Sequence, residues 1–162
     1  MPNVNNIFNK ISPNNKSAGK KSPPPVKDLK KTAETALTFF KNGCFFLDIY
    51  LVENWKIRRL NKKFRGKDKV ANVLSFKEPD DFPHPEITGR KNKKSAGKIK
   101  YLGEIYLAPA HIKERGENIQ HLLVHGILHL FGYTHNNKND TIKMARWENK
   151  ILKCLNSSPS KN

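Results

Sequence analysis

Residues 121–135 read HLLVHGILHLFGYTH and hold four of the six histidines in the chain. The apolar residues around them recur at helical spacing over about 118–131, and Gly132 is placed to stop that helix. His125 and His129 are four apart, so a helix puts both imidazoles on one face, one turn from each other. His135 follows six residues after His129, and a chain that turns back at Gly132 brings it to the same ion. Three neutral imidazoles suit one Zn²⁺ and leave a position open, the arrangement of a catalytic site rather than a structural one. His121, one turn before His125, is a fourth ligand, a supporting partner of a ligand, or a surface residue. Metallopeptidases also place two histidines four apart, but with Glu after the first as base. Here that position is Gly126, a residue suited to close helix packing.

Working outward, the pattern is helix, strand, helix, strand, loop, strand, helix, helix. Residues 26–40 show helical spacing, and Asn42-Gly43 ends that run. Residues 44–52 (CFFLDIYLV) are rich in strand formers, 53–64 read as a helix, and 73–76 as a short strand. A Pro- and Gly-rich loop over 78–100 leads into a strand at 101–107. A helix begins after Pro109, breaks at Gly116 and resumes. A last helix covers about 140–155, with Met144, Trp147, Ile151 and Leu155 as its core stripe, Glu148 exposed and Cys154 buried. The fold class is α+β, a small mixed sheet with packed helices in a single domain. That domain covers 26–156. Residues 1–25 form a basic tail, read as a disordered arm or an organelle transit segment, and 157–162 a disordered end.

The chain has 31 Lys and Arg against 14 Asp and Glu, a formal net charge of +17 in 162 residues. That excess favours a polyanionic partner. No apolar run approaches the roughly 20 residues a membrane-spanning helix needs. Two cysteines are too few for a disulfide framework and fit a reducing compartment. The positive charge is densest at 56–69 and 90–100, which makes Lys62, Lys63, Lys67, Lys69, Lys93 and Lys94 candidate contacts for a polyanion; nucleic acid and an anionic membrane surface both qualify on charge alone, and the resemblance described below implies RNA. Such contacts grip phosphate without reading sequence. Phe64 and Tyr106 are candidate stacking platforms.

Three blocks together resemble one family. His125-Gly126-Ile127-Leu128-His129-Leu130-Phe131-Gly132-Tyr133-Thr134-His135 is similar to the HGxLHLxGYDH signature of the YbeY family of endoribonucleases and rRNA maturation factors. Upstream, 60–69 (LNKKFRGKDK) and 72–76 (NVLSF) are similar to its LNxxYRGKDKPTNVLSF block, and 102–105 (LGEI) to its LGDI strand. The blocks come in family order over about 60–135. Thr134 and Glu104 stand where the family has Asp, and Val70-Ala71 where it has Pro-Thr. The resemblance implies metal ligation by His125, His129 and His135, and catalytic roles for Arg65 and His125. Thr134 and His121 are then supporting residues behind the ligands.

The resemblance further implies a zincin-like (metalloprotease-like) domain that cuts single-stranded RNA. The implied setting is 3′-end processing of small-subunit ribosomal RNA and ribosome quality control, in a bacterial-type cytoplasm. Its partners would be ribosomal RNA and the ribosomal subunit or its proteins, with no membrane involved. Two other readings stand beside this one. The first is a non-catalytic ribosome-biogenesis factor, stabilised by its metal, that docks on rRNA. The more remote is a metallopeptidase, for which Gly126 removes the usual base.

Overall fold

The computed structural model describes residues 11–13, 26–40, 44–79 and 99–157. In chain order these form β1 (Ile11–Pro13), α1 (Val26–Thr38), β2 (Cys44–Leu51), α2 (Asn54–Arg65), β3 (Val73–Lys77), β4 (Ile99–Leu107), α3 (Pro109–Glu114), α4 (Ile119–Leu130) and α5 (Lys138–Ser157). The sheet order is β1-β2-β4-β3. β4 lies parallel to β2, with Ile105 opposite Ile49, and antiparallel to β3, with Ile105 opposite Ser75. The architecture is therefore α+β with a mixed sheet.

Strand alternation divides the side chains between two unequal faces. One face carries Leu47, Ile49, Ile105 and Leu107 and is covered by α1, α4 and α5. Leu29 and Ala33 of α1, Leu123 and Ile127 of α4, and Met144 and Ile151 of α5 complete this core, all almost fully buried. The other face carries Leu74 and Tyr106 and is covered by α2, through Ile57, in a smaller cluster with Val52 and Ala108.

Gly126 explains how α4 comes so close to the sheet. A Cβ there would sit 2.9 Å from the Ser75 Oγ and 3.2 Å from Ile105 side-chain carbons. Both distances are below normal contact, so only glycine lets the helix rest on β3 and β4. At 100° per residue, His125 and His129 then lie together to one side of that contact line.

Three expectations change. Ile11–Pro13, inside the segment read as a disordered tail, pairs parallel with β2 and supplies a partner for an otherwise open strand edge. A three-residue strand ending in proline is too short to announce itself by periodicity. β4 begins at Ile99, inside the stretch read as loop. Cys154 is exposed rather than buried, because the buried side of α5 runs through Met144 and Ile151. Lys93, Lys94 and His84 lie outside the described residues, as do most of the N-terminal tail and 158–162.

Candidate metal centre

The histidine helix is set at both ends by its own sequence. At its start the Asn118 side chain accepts hydrogen bonds from the backbone N–H groups of Gln120 (2.8 Å) and His121 (3.1 Å), satisfying donors the helix cannot. At its end Gly132 adopts φ 91°. The Gly132 N–H donates to the His129 carbonyl (2.9 Å) and the Tyr133 N–H to the Leu128 carbonyl (3.0 Å). These paired bonds are the Schellman stop, and the left-handed residue it requires explains the glycine. Phe131 and Tyr133 flank that glycine. Phe131 stacks on Phe40 with centroids 3.6 Å apart, and Tyr133 packs edge-on to Trp147 at 6.3 Å. The reversal is thus pinned by aromatic packing, and it returns the chain to the helix it has just left.

That return brings His135 to the pair on α4. The His125 Nε2 lies 3.1 Å from the His129 Nε2 and 3.2 Å from the His135 Nε2. One nitrogen from each of the three rings falls within 4.8 Å of the others. On two of the rings the other nitrogen is already engaged. The His129 Nδ1 is 2.8 Å from the Tyr133 carbonyl oxygen, which only accepts, so this nitrogen carries the proton. The His125 Nδ1 is 2.7 Å from Glu148 Oε1 and donates to that carboxylate. In the neutral rings the Nε2 atoms of His125 and His129 therefore turn bare lone pairs toward each other. A cation between them resolves that repulsion. A tetrahedral ion with nitrogen ligands at 2.0–2.1 Å needs them about 3.3 Å apart, close to the spacing here. Burial pushes the pKa of His125 down, against the raising effect of Glu148. Burial and the neighbouring His125 push that of His129 down. Both shifts favour the neutral form that ligates.

Glu148 is the residue that sequence reading missed. It was read as exposed on α5, yet its side chain is only 14% accessible and stands behind the ligands. Its second oxygen lies 3.4 Å from the His121 Nε2. His121 thus touches the carboxylate that is bonded to His125. The signal was available: Glu148 lies four residues after Met144 and three before Ile151, in the middle of the buried stripe. Thr134 is tied differently. Its hydroxyl donates to Asp140 Oδ2 (3.1 Å), which also accepts from the Asn137 side chain (2.8 Å). A carboxylate therefore stands beside this turn although residue 134 is not one.

Arg65 ends α2, exposed, at a left-handed turn on Gly66 (φ 68°). Its charge is the smallest of the contributions that lower the His129 pKa. The neighbouring basic residues divide. Arg58 and Lys62 donate to Asp68, at 2.7 and 2.9 Å, and their hydrogen bonds hold the Asp68 carboxyl below its usual range. Lys63, Lys67 and Lys69 are exposed. The turn that bears the last two is fixed by the buried Asn61, whose amide donates to the Lys69 carbonyl (2.8 Å).

A small α+β domain with three convergent imidazoles, one of them backed by a carboxylate, has the side-chain framework of a histidine-ligated metal protein. Comparison with known proteins narrows this. A family model described as Endoribonuclease YbeY matches residues 14–156, and the chain belongs to the YbeY family. Proteins named Endoribonuclease YbeY are similar to it. That of Aquifex aeolicus is 32% identical over 139 residues, covering 80% of this chain and 83% of its own length. That of Buchnera aphidicola is 38% identical over 112 residues, 67% of each chain. The match to the Francisella tularensis protein, 32% identical, spans 65% of that relative's length.

Proposed function

We propose that this chain is a metal-dependent endoribonuclease that cuts single-stranded RNA, using one Zn²⁺ held by His125, His129 and His135, with Arg65 as its catalytic arginine. The observation that carries this reading is the convergence of three Nε2 atoms, two of them on rings whose opposite nitrogen is fixed by a partner. When bound, the ion supplies Lewis-acid activation for attack on a phosphodiester. The protein's own residues do the rest. Glu148 holds the His125 ring in the tautomer that leaves Nε2 free, and the Tyr133 carbonyl does the same for His129. Arg65 offers two parallel N–H donors to the non-bridging oxygens, where negative charge grows during attack. Lys63, Lys67 and Lys69 hold the backbone of the strand without selecting bases.

The family supports a setting in ribosomal RNA maturation, at the 3′ end of the small-subunit RNA and in ribosome quality control. The ribosomal subunit would be the partner and a bacterial-type cytoplasm the compartment. A peptidase reading gains no support, because the position of its base is Gly126, pressed against Ser75 and Ile105. Among the described residues no helix is long and apolar enough to cross a membrane.

The test is cleavage of an unstructured RNA by the purified protein with Zn²⁺ added, alongside Arg65→Ala and His129→Ala. Activity should be lost on chelation and in both variants, with Arg65→Ala still folded and still binding metal. RNA binding without cleavage under every divalent metal would sink the nuclease reading and leave a docking factor.

A further inference from the structure

The sheet face opposite the histidine helix holds a groove of about 520 Å³ between α2 and the strands β3 and β4. Its wall on α2 is built from residues of two kinds. Trp55 and Phe64 are large aromatic residues left 61% and 56% exposed. Lys56, Arg59 and Lys63 lie between them along the same helix, and among the described residues none of the three takes part in an ion pair. This contrasts with Arg58 and Lys62, one step around the helix, whose charges are held by Asp68. The basic block of α2 is thus split into a row that closes a turn and a row that faces the groove.

The floor is aromatic as well. Tyr106 stacks on Tyr50 at 4.8 Å and meets the Phe76 ring edge-on at 5.8 Å, while Phe64 meets Phe76 at 5.0 Å. Glu104 adds an acceptor-only group there, itself receiving the Tyr106 hydroxyl (2.8 Å). Exposed rings interleaved with cations complement a chain of phosphates carrying flat bases, and single-stranded nucleic acid is bound by this combination.

We infer that the α2 groove is a second RNA-binding site, in which a single strand stacks its bases on Trp55 and Phe64 and lays its phosphates on Lys56, Arg59 and Lys63. It rests on the RNA reading of the chain and extends it. From Trp55 to Arg65 the helix rises about 15 Å. A strand seated along α2 therefore leads toward the helix end that carries Arg65. The groove holds the substrate away from the cut, and Glu104 favours bases whose edges donate hydrogen bonds.

The inference is tested by fluorescence anisotropy of a labelled unstructured 12-nucleotide RNA, titrated with the full chain in chelator so that nothing is cut. Trp55→Ala with Phe64→Ala should weaken binding, with each lost stack reading as roughly 5- to 150-fold. Lys56→Ala with Arg59→Ala and Lys63→Ala should lower the log–log salt slope by about 2. Circular dichroism and metal stoichiometry unchanged from wild type show that the variants are folded. Affinity of the aromatic variant within twofold of wild type, or a salt slope unchanged in the cation variant, would overturn the groove. The outcome separates from that of the nuclease reading. Protein that binds through the groove but never cuts with metal upholds the groove alone. Protein that cuts while the groove variants bind like wild type overturns the groove alone.

Discussion

The imidazoles of the metal cradle and the cations of α2 are both polar side chains at the surface of one small domain, yet they are held in opposite ways. His125 and His129 each have a fixed partner on the far side of the ring, at 2.7 and 2.8 Å, and both are partly buried. Behind them stand the Gly132 reversal and the packing of Phe131 and Tyr133 on Phe40 and Trp147. Along the groove, Lys56 and Arg59 have no ion-pair partner among the described residues, Lys63 lies over the Phe64 ring at 5.1 Å, and Trp55 and Phe64 stand largely in solvent. The contrast follows from what each region must hold. A metal ion tolerates ligand errors of a few tenths of an ångström, so its ligands are pre-positioned. A flexible polyanion adapts to its site, so long mobile side chains serve it better than rigid ones.

That comparison can be broken at several points. The largest effect should come from His129→Ala, which removes one of three ligands and should abolish stoichiometric metal in elemental analysis; retained metal would sink the cradle. Next, Arg65→Ala should lower kcat by roughly 10²–10³, as expected for loss of a donor aimed at developing charge. The thermal midpoint should hardly move, because the residue is exposed. Glu148→Gln should weaken metal binding by roughly 10- to 100-fold in a chelator competition. An unchanged affinity would make the 2.7 Å contact incidental.

Smaller still, Gly126→Ala should destabilise the fold by about 1–3 kcal/mol in a denaturant titration, the cost of overpacking α4 against Ser75 and Ile105. The smallest effect belongs to the second region. Asp68 is held below its ordinary pKa by Arg58 and Lys62. A carboxyl depressed in the folded state adds stability that is present above its unfolded value, near 3.9, and is lost as pH falls through the folded value. A carbon-detected NMR titration should find Asp68 below about 3.9, and Arg58→Ala should move it back up.

Much of the cradle was legible because its signals are local. The four-residue spacing of His125 and His129, the stop at Gly132 and the return to His135 are all written within eleven residues. Gly126 was readable as a packing glycine for the same reason. Glu148 was not, because its function depends on which side of α5 faces α4, and a lone carboxylate on a helix is usually solvated. Cys154 was misjudged for the converse reason: its type favours burial, but its place on α5 does not. The pairing of Ile11–Pro13 with β2 is a long-range choice of partner that three residues cannot encode. On α2, composition revealed the charge but not its division, since only the fold shows Asp68 between Arg58 and Lys62.

The Gly132 reversal also sets an order of assembly. The three imidazoles are separated by four and six residues, while Arg65 is sixty residues upstream of His125. The entropy of closing a loop grows with its length, and contacts close in sequence form soonest. The cradle is therefore the part of the site that helix formation and one tight turn bring together early. The arginine arrives only when the sheet between α2 and α4 is complete. On the proposed reading, a folding chain gathers the residues that would hold the ion before the arginine that would act with it.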